Sequence, residues 1–196
     1  MTTDNVTLRR ELRHRRAALD EAQRRHAAAR IADTILRTPR FLHARHVAVY
    51  LPVRGEADPL GLVAQARRLG KRVYLPVLAP LVQHGLWFLP WDQDTPLHRN
   101  RFGIPEPVLN GHTPRPPSRL DLVITPLVAF DANGHRLGMG KGYYDRTFAF
   151  LRRRGQWRKP YLLGCAYGFQ EVSGLTAQPW DIPLHGVVTE QGWRHF

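Results

Sequence analysis

Cysteine and long apolar runs are scarce in this chain of 196 residues. The single cysteine, Cys165, excludes a disulfide within the chain, and its place in the apolar run 161–166 favours core packing over a catalytic thiolate. No apolar run approaches the roughly 20 residues that a membrane-spanning helix needs. The N-terminal region carries arginines without an apolar signal segment. These absences predict a cytoplasmic protein without a membrane partner.

Acidic residues are also few. The chain has 16 aspartates and glutamates against 29 lysines and arginines, which gives a net charge of +13. Much of this excess lies in residues 9–30 and 152–159, and such clusters can bind nucleic acid. Aromatic residues are not interleaved with the first cluster, however, and neither a zinc-finger nor an RRM signature is present. A solvated helix face is the simpler interpretation, so nucleic acid is not an expected partner.

Length and an ordinary apolar content suit one domain with a sizeable core. We expect a monomer with N-terminal helices in residues 1–38 and a sheet-containing body in residues 46–196. The spacing of Leu8, Leu12 and Leu19 predicts the first helix. Asp20 and Gln23 have the spacing of a capping box, which predicts a second helix running toward residue 36.

Strands and helices alternate along the rest of the chain. Short apolar runs predict strands at residues 47–51, 73–77, 86–89, 122–125, 161–166 and 187–189. Asp58 and Pro59 begin a helix that Gly70 closes. A further helix is expected within residues 140–154, a turn or loop at 129–138, and a proline-rich surface loop at 90–117. The alternation predicts an α/β fold with a doubly wound, mostly parallel sheet flanked by helices and preceded by an N-terminal helical segment.

The chemistry is concentrated in residues 130–146, which read FDANGHRLGMGKGYYDR. The alternating glycines Gly138, Gly140 and Gly142 let backbone N–H groups approach an anion without interference from Cβ atoms. Lys141 lies between two of them as a compact positive charge, and Arg136 adds a planar group with several donors. The segment therefore predicts a site for a polyphosphate.

A helix is expected to begin directly after these glycines, since Tyr144, Phe148 and Leu151 follow at helical spacing. Its N-terminus would face the loop. Asp145 then falls in the first turn, where a carboxylate is favourable and can coordinate Mg²⁺.

Neither of the better-known phosphate loops fits this segment. A Walker A loop needs glycine where His135 stands and serine or threonine where Gly142 stands. The dinucleotide fingerprint needs a third glycine where Tyr143 stands. Glycine spacing alone leaves a plain strand-to-helix turn with solvated charges as an alternative, and the density of charge favours the ligand site.

Four blocks together carry a resemblance to a known family. The longest, at residues 121–146, follows the pattern D-x-V-x-x-P-x-x-A-F-D-x-x-G-x-R-L-G-x-G-x-G-Y-Y-D-R. The others, in family order, are VAVYLPVRGE at 47–56, FGIPEP at 102–107, and AYGFQEV followed by PWDIPLHGVVTE. By these blocks the chain resembles the 5-formyltetrahydrofolate cyclo-ligases, also called 5,10-methenyltetrahydrofolate synthetases, over nearly its whole length.

The resemblance implies an ATP- and Mg²⁺-dependent cyclisation of 5-formyltetrahydrofolate to 5,10-methenyltetrahydrofolate through a phosphorylated formyl intermediate, with release of ADP and phosphate. It implies that Lys141 and Arg136 are catalytic, and that Asp145 and Asp181 hold the metal. It also implies folate contacts from Leu51, Glu56 and the five residues Met139, Gly140, Lys141, Gly142 and Tyr143. The implied ATP-binding residues are Arg9, Arg136, Leu137, Gly138, Met139, Gly140, Lys141, Gly142, Tyr143 and Tyr144.

The first helix departs from the family pattern in one place. The family usually carries a lysine four residues before an arginine, and here Asn5 stands at the lysine and Arg9 at the arginine. Arg10 or Arg13 can supply the missing charge through a shift in register, although ammonium and guanidinium groups are not equivalent. A folate- or nucleotide-binding relative with little turnover is therefore the alternative. The positive net charge suits the anionic pair of ATP and folate.

Overall fold

The protein is described by a computed structural model over residues 5–79, 85–109, 111, 113–153 and 159–196. Short strands follow one another along this part of the chain. They are β1 His46–Ala48, β2 Arg72–Leu78, β3 Leu86–Pro90, β4 Leu97–Arg99, β5 Pro105–Pro107, β6 Leu122–Pro126, β7 Ala129–Phe130, β8 Arg136–Leu137, β9 Tyr161–Cys165, β10 Gly186–Thr189 and β11 Gly192–His195.

Seven of these strands form one sheet in the order β11-β10-β9-β6-β1-β2-β3. The five inner strands are parallel, and the two edge strands β3 and β11 pair antiparallel with their neighbours. The chain proceeds from β1 to β2 in one direction and later places β6 on the other side of β1. The predicted doubly wound, mostly parallel sheet is thus confirmed, and its strand order reverses between β1 and β6, where such sheets bind ligands.

The ends of several predicted strands differ from the observed ones. The strand predicted at 47–51 ends at Ala48, although Val49 still donates a hydrogen bond to the Tyr74 carbonyl oxygen. The strand β11 was not predicted, because its side chains are mostly exposed and its sequence, GWRH, has no apolar run. The expected loop at 129–138 contains the hairpin of β7 and β8, and the proline-rich stretch contains that of β4 and β5.

The described helices are α1 Asn5–Ala18, α2 Glu21–Arg37, α3 Pro39–His43, α4 Val63–Arg68 and α5 Tyr143–Thr147. The capping box is confirmed, since Asp20 Oδ1 accepts from the Gln23 N–H at 2.7 Å and Gln23 Oε1 accepts from the Asp20 N–H at 3.0 Å. Leu19 lies just beyond α1. None of the described helices combines the length and apolar character needed to cross a membrane.

The helix predicted within 140–154 is shorter than expected. It ends at Thr147, whose hydroxyl donates to the Tyr143 carbonyl oxygen at 2.7 Å and accepts from the Leu86 N–H of β3 at 2.9 Å. This contact with the sheet favours the end of the α-helix at Thr147, and the chain continues as a 3₁₀ helix at Ala149–Arg153. Residues 154–158, which include the end of the predicted helix and part of the second basic cluster, lie outside the described residues.

Two apolar clusters cover the two faces of the sheet, as the alternation of side chains along each strand requires. On one face Ile31 and Ile35 of α2 pack with Val47 and Leu122. On the other face Phe148 and its neighbours pack with alternate residues of the same strands, such as Ala48 and Val123. The second cluster holds the segment that follows the glycines against the sheet, close to the carboxyl ends of β1 and β6.

Candidate active site

A cleft of about 1090 Å³ opens where the sheet reverses its strand order. Its walls come from the segments that follow β1 and β6, from the end of β2, from α1, from the β4–β5 hairpin, and from residues 135–146. Every residue to which the resemblance assigned a role lines it: Arg9, Leu51, Glu56, Arg136, Leu137, Gly138, Met139, Gly140, Lys141, Gly142, Tyr143, Tyr144, Asp145 and Asp181. The structure thus brings the predicted set together, while the role of each residue stays a prediction.

The glycine segment needs glycine at two of its three alternating positions. Gly140 and Gly142 have φ angles of 88° and 66°, a left-handed conformation that residues with a Cβ atom rarely adopt. Gly138 does not share this conformation; its carbonyl oxygen accepts a hydrogen bond from Arg9 Nε at 2.9 Å. The first helix and the glycine segment are therefore joined directly, and α5 begins immediately after Gly142.

Arg136 is turned toward protein atoms rather than toward the open cleft. Its side chain is 5% exposed, Nη2 donates to Asp145 Oδ1 at 2.6 Å, and Nη1 donates to the Ile182 carbonyl oxygen at 3.1 Å. Burial lowers the pKa of Arg136, while the charge of Asp145 is the largest opposing influence. The observed contacts make Arg136 the residue that orients Asp145, and a direct contact with phosphate stays a prediction.

Asp145 and Asp181 both lie near the Arg136 guanidinium. Asp145 Oδ1 also accepts from the Ile182 N–H at 3.2 Å, whereas Asp181 Oδ2 accepts from the Gln178 N–H at 2.8 Å and so closes a turn. No cluster of three or more potential ligands was found among the described residues. Two carboxylates beside a predicted polyphosphate site are nevertheless the protein ligands that Mg²⁺ usually takes, with phosphates and waters completing its shell. The donor set therefore fits Mg²⁺ bound together with ATP.

Glu56 lies in the segment between β1 and α4. Its Oε2 accepts from the Val53 N–H at 3.1 Å, and its own N–H donates to the Val53 carbonyl oxygen at 3.1 Å. Burial raises the pKa of the Glu56 carboxyl, and the Val53 hydrogen bond together with the charges of Arg16 and Arg54 opposes this rise. A half-buried carboxylate at the cleft can accept paired hydrogen bonds from a planar donor edge.

The tip of the β4–β5 hairpin reaches the glycine segment. Arg101 Nη2 donates to the Tyr143 hydroxyl oxygen at 2.6 Å, and the rings of Phe102 and Tyr143 meet edge to face with centroids 6.0 Å apart. Lys141 is exposed, with Nζ 6.0 Å from the centre of the Phe102 ring. Sequence reasoning missed Arg101, for which the FGIPEP block next to it is the only signal.

The first helix presents one face to the cleft, along which Asn5, Arg9 and Arg13 follow one another at every fourth residue. Of the two arginines that could replace the missing lysine charge, Arg13 is therefore the one on this face. His135 is another cleft residue that the sequence did not single out. Its Nδ1 is 3.0 Å from Oδ2 of the buried Asp131, and the only signal was its place in the D-x-x-G-x-R turn.

Comparison with known proteins decides the family. Residues 1–190 match the model of the 5-formyltetrahydrofolate cyclo-ligase family. The chain belongs to this family. The resemblance seen in the sequence is thus confirmed, and with it the prediction that the chain is an enzyme of the ligase class.

Several cyclo-ligases are similar over nearly their whole length. The chain is 44% identical to 5-formyltetrahydrofolate cyclo-ligase of Escherichia coli K12 over 178 residues, which cover 91% of this chain and 96% of that protein. It is 38% identical to the cyclo-ligase of Haemophilus influenzae over 189 residues, with 95% and 98% covered.

Solved structures agree with the sheet described above. The NMR structure of Aquifex aeolicus 5,10-methenyltetrahydrofolate synthetase has a TM-score of 0.81 and 32% identity, with 98% of this chain and 93% of that chain covered. A 5,10-methenyltetrahydrofolate synthetase from Mycoplasma pneumoniae, at 23% identity and a TM-score of 0.74, shares the fold.

Proposed function

We propose that this cyclo-ligase family member converts 5-formyltetrahydrofolate, ATP and Mg²⁺ to 5,10-methenyltetrahydrofolate, ADP and phosphate. The observation that carries the proposal is the convergence of two different binding features on one cleft. A glycine segment with Lys141 suits a polyphosphate, and the half-buried carboxylate of Glu56 suits the aminopyrimidine edge of a pterin. A reaction between ATP and a folate needs both ligands in one place.

The chemistry consists of two transfers at the formyl group. The formyl oxygen of the substrate attacks the γ-phosphorus of ATP, the bond to the β-phosphate oxygen breaks, and ADP leaves. N10 then attacks the formyl carbon of the resulting iminium phosphate. Phosphate departs with the former formyl oxygen and takes up the N10 proton. Such a reaction mainly requires that the protein position the reactants and neutralise charge.

The described contacts support one role for each part of the cleft. Left-handed backbone at Gly140 and Gly142 suits a segment whose N–H groups turn toward a phosphate, and the exposed Lys141 adds a positive charge. Arg9, which is held to the Gly138 carbonyl, places a second cation at the same segment. Glu56, which lines the same cleft, would orient the pterin.

Asp145 and Asp181 would hold the metal ion, which, when bound, neutralises charge on the phosphates of ATP. Arg136 keeps the Asp145 carboxylate in place through its Nη2, and Ile182 supports the same oxygen through its backbone N–H. The protein thus fixes Asp145 from two sides before any ligand binds.

An omission experiment tests the proposal. Purified protein, 5-formyltetrahydrofolate, ATP and Mg²⁺ are combined, each is then left out in turn, and the near-ultraviolet absorption of the conjugated methenyl product is followed. We expect a rise that needs every component. Binding of ATP or folate in calorimetry without any rise would favour the relative with little turnover, for which Asn5 is the motivating feature, and Asn5→Lys would be the first substitution to test.

Lys141→Ala is expected to lower kcat/KM by about a hundredfold, because a charge that stabilises the transferring phosphoryl group is lost. Steady-state kinetics measure the effect. Lys141→Arg is the matched control; it keeps the charge and should retain a larger part of the activity. Unchanged turnover in Lys141→Ala would rule out the catalytic role of this lysine.

Other expectations were not tested by the structure or the comparisons and stay predictions. They are the cytoplasmic location, the monomeric state, the lack of a nucleic-acid partner, and the single domain composed of residues 1–38 and 46–196.

A further inference from the structure

Arg16 is a buried arginine of α1 for which the proposed reaction has no use. Its side chain is among the largest of the fully buried ones, with the residue 1% exposed. Nη1 donates to the Leu127 carbonyl oxygen at 3.4 Å, and neither Nε nor Nη2 has a hydrogen-bond partner in the described part of the chain. A guanidinium group with unpaired N–H groups is unfavourable in a protein interior, so its presence calls for a compensating role.

The place of Arg16 suggests what that role is. A Cβ atom added at Gly55 would lie 3.3 Å from the Arg16 carbonyl oxygen and 3.8 Å from the Arg16 Cβ atom, so α1 packs closely on the loop that carries Glu56. The hydrogen-bonded Leu127 follows β6 and lines the cleft. The Arg16 backbone therefore lies against the loop that follows β1, and its guanidinium group reaches the segment that follows β6.

We propose that Arg16 is a positioning residue which, from the helix packed against the Glu56 loop, keeps the Glu56 carboxylate ionised for the aminopyrimidine edge of the folate. This role rests on the proposed function. Arg16 does not line the cleft among the described contacts; it acts on the substrate through Glu56.

Several titratable groups face Glu56, and Arg16 supplies the positive charge that water screens least. Arg54, from the same loop, is exposed, so solvent weakens its field, whereas Arg16 is buried. Burial raises the pKa of Tyr144 from α5, and burial likewise raises that of Tyr50, which follows β1. Burial raises the pKa of Cys165 in β9 to about 12. These three groups are therefore neutral near pH 7, and the ionised carboxylate is favoured by the hydrogen bond from the Val53 N–H and, among charged groups, by the two arginines.

The first test measures Glu56 directly and needs no ligand. The side-chain carboxyl carbon of Glu56 is titrated by NMR in the wild-type protein, in Arg16→Met and in the control Arg15→Met, which removes the same charge from a neighbouring exposed position of α1. We expect the Glu56 midpoint to rise by about one pH unit in Arg16→Met, since an opposite charge has been lost. It should stay unchanged in Arg15→Met. An unchanged midpoint in Arg16→Met would overturn the proposal.

A second variant covers the case that Arg16→Met does not fold. Arg16→Gln removes the charge but keeps an amide donor for the Leu127 carbonyl oxygen, so the Glu56 midpoint should rise as in the methionine variant. A wild-type midpoint in a folded Arg16→Gln protein would show that the charge of Arg16 does not act on Glu56 and would reject the positioning role.

The second test follows the binding of 5-formyltetrahydrofolate by calorimetry across the pH range. Affinity is expected to fall as pH decreases through the pKa of Glu56, and in Arg16→Met this fall should occur about one pH unit higher, so that affinity below the midpoint is about tenfold weaker. KM for ATP should not change. In Glu56→Gln, where no ionisation remains, adding Arg16→Met should weaken folate binding no further, and an equal further loss there would contradict the proposal. If the wild-type protein binds no folate, the proposed function fails, while the NMR titration still decides the role of Arg16.

Discussion

Arg136→Met is expected to lower turnover by about a thousandfold and the free energy of unfolding by about 3–5 kcal/mol. The guanidinium group is nearly buried and bonds both Asp145 and the Ile182 carbonyl oxygen. Its loss leaves the partly buried carboxylate of Asp145 without its positive partner. The same carboxylate, which is predicted to hold the metal, is then no longer held in place. The variant is therefore expected to lose both folding stability and the geometry of the site.

Denaturant unfolding and steady-state kinetics on the same preparations measure these two effects. The double variant Arg136→Met with Asp145→Asn is the informative control, because it removes both charges of the pair. We expect it to be more stable than Arg136→Met alone, since no uncompensated carboxylate remains. If the losses of stability in Arg136→Met and Asp145→Asn simply added in the double variant, the contact between Arg136 Nη2 and Asp145 Oδ1 would contribute no coupling energy.

Removal of Mg²⁺ by a chelator is expected to stop turnover, with a loss of at least about a thousandfold and full recovery when Mg²⁺ is restored. The reason is that several kcal/mol of charge stabilisation on the transferred phosphoryl group are lost with the ion. Rates measured over a range of free Mg²⁺ check this directly. Turnover that persists at full rate in the chelator would contradict the proposed use of the metal.

Variants of the two carboxylates refine this prediction. Asp145→Asn should raise the Mg²⁺ concentration needed for half-maximal rate by about tenfold or more, because a carboxylate ligand becomes a neutral amide. Asp181→Asn should have a smaller effect, since the side-chain oxygen of asparagine can still accept the hydrogen bond from the Gln178 N–H that closes the turn. A larger effect at Asp181 would reverse the order of importance that the structure suggests.

Much of the site was predictable because its chemistry lies in one short segment. Alternating glycines, a lysine and an acidic residue in the first turn of a helix are local features, and all of them line the cleft. The capping box of α2 was predictable for the same reason, since Asp20 and Gln23 lie within one helical turn of each other. The β11 strand was not predictable, because an exposed edge strand pairs on one side only and has little need of apolar residues.

The sequence by itself determined the strand and helix alternation, the place of the glycine segment and the family, since each depends on periodicity or on residue types at close spacing. Only the tertiary structure decided which groups those side chains meet. Arg9 bonds a carbonyl group 129 residues away, Arg101 a hydroxyl group 42 residues away, and Arg16 a carbonyl group 111 residues away. Such contacts depend on how the helices and loops pack around the point where the sheet reverses, and no local pattern in the chain specifies that packing.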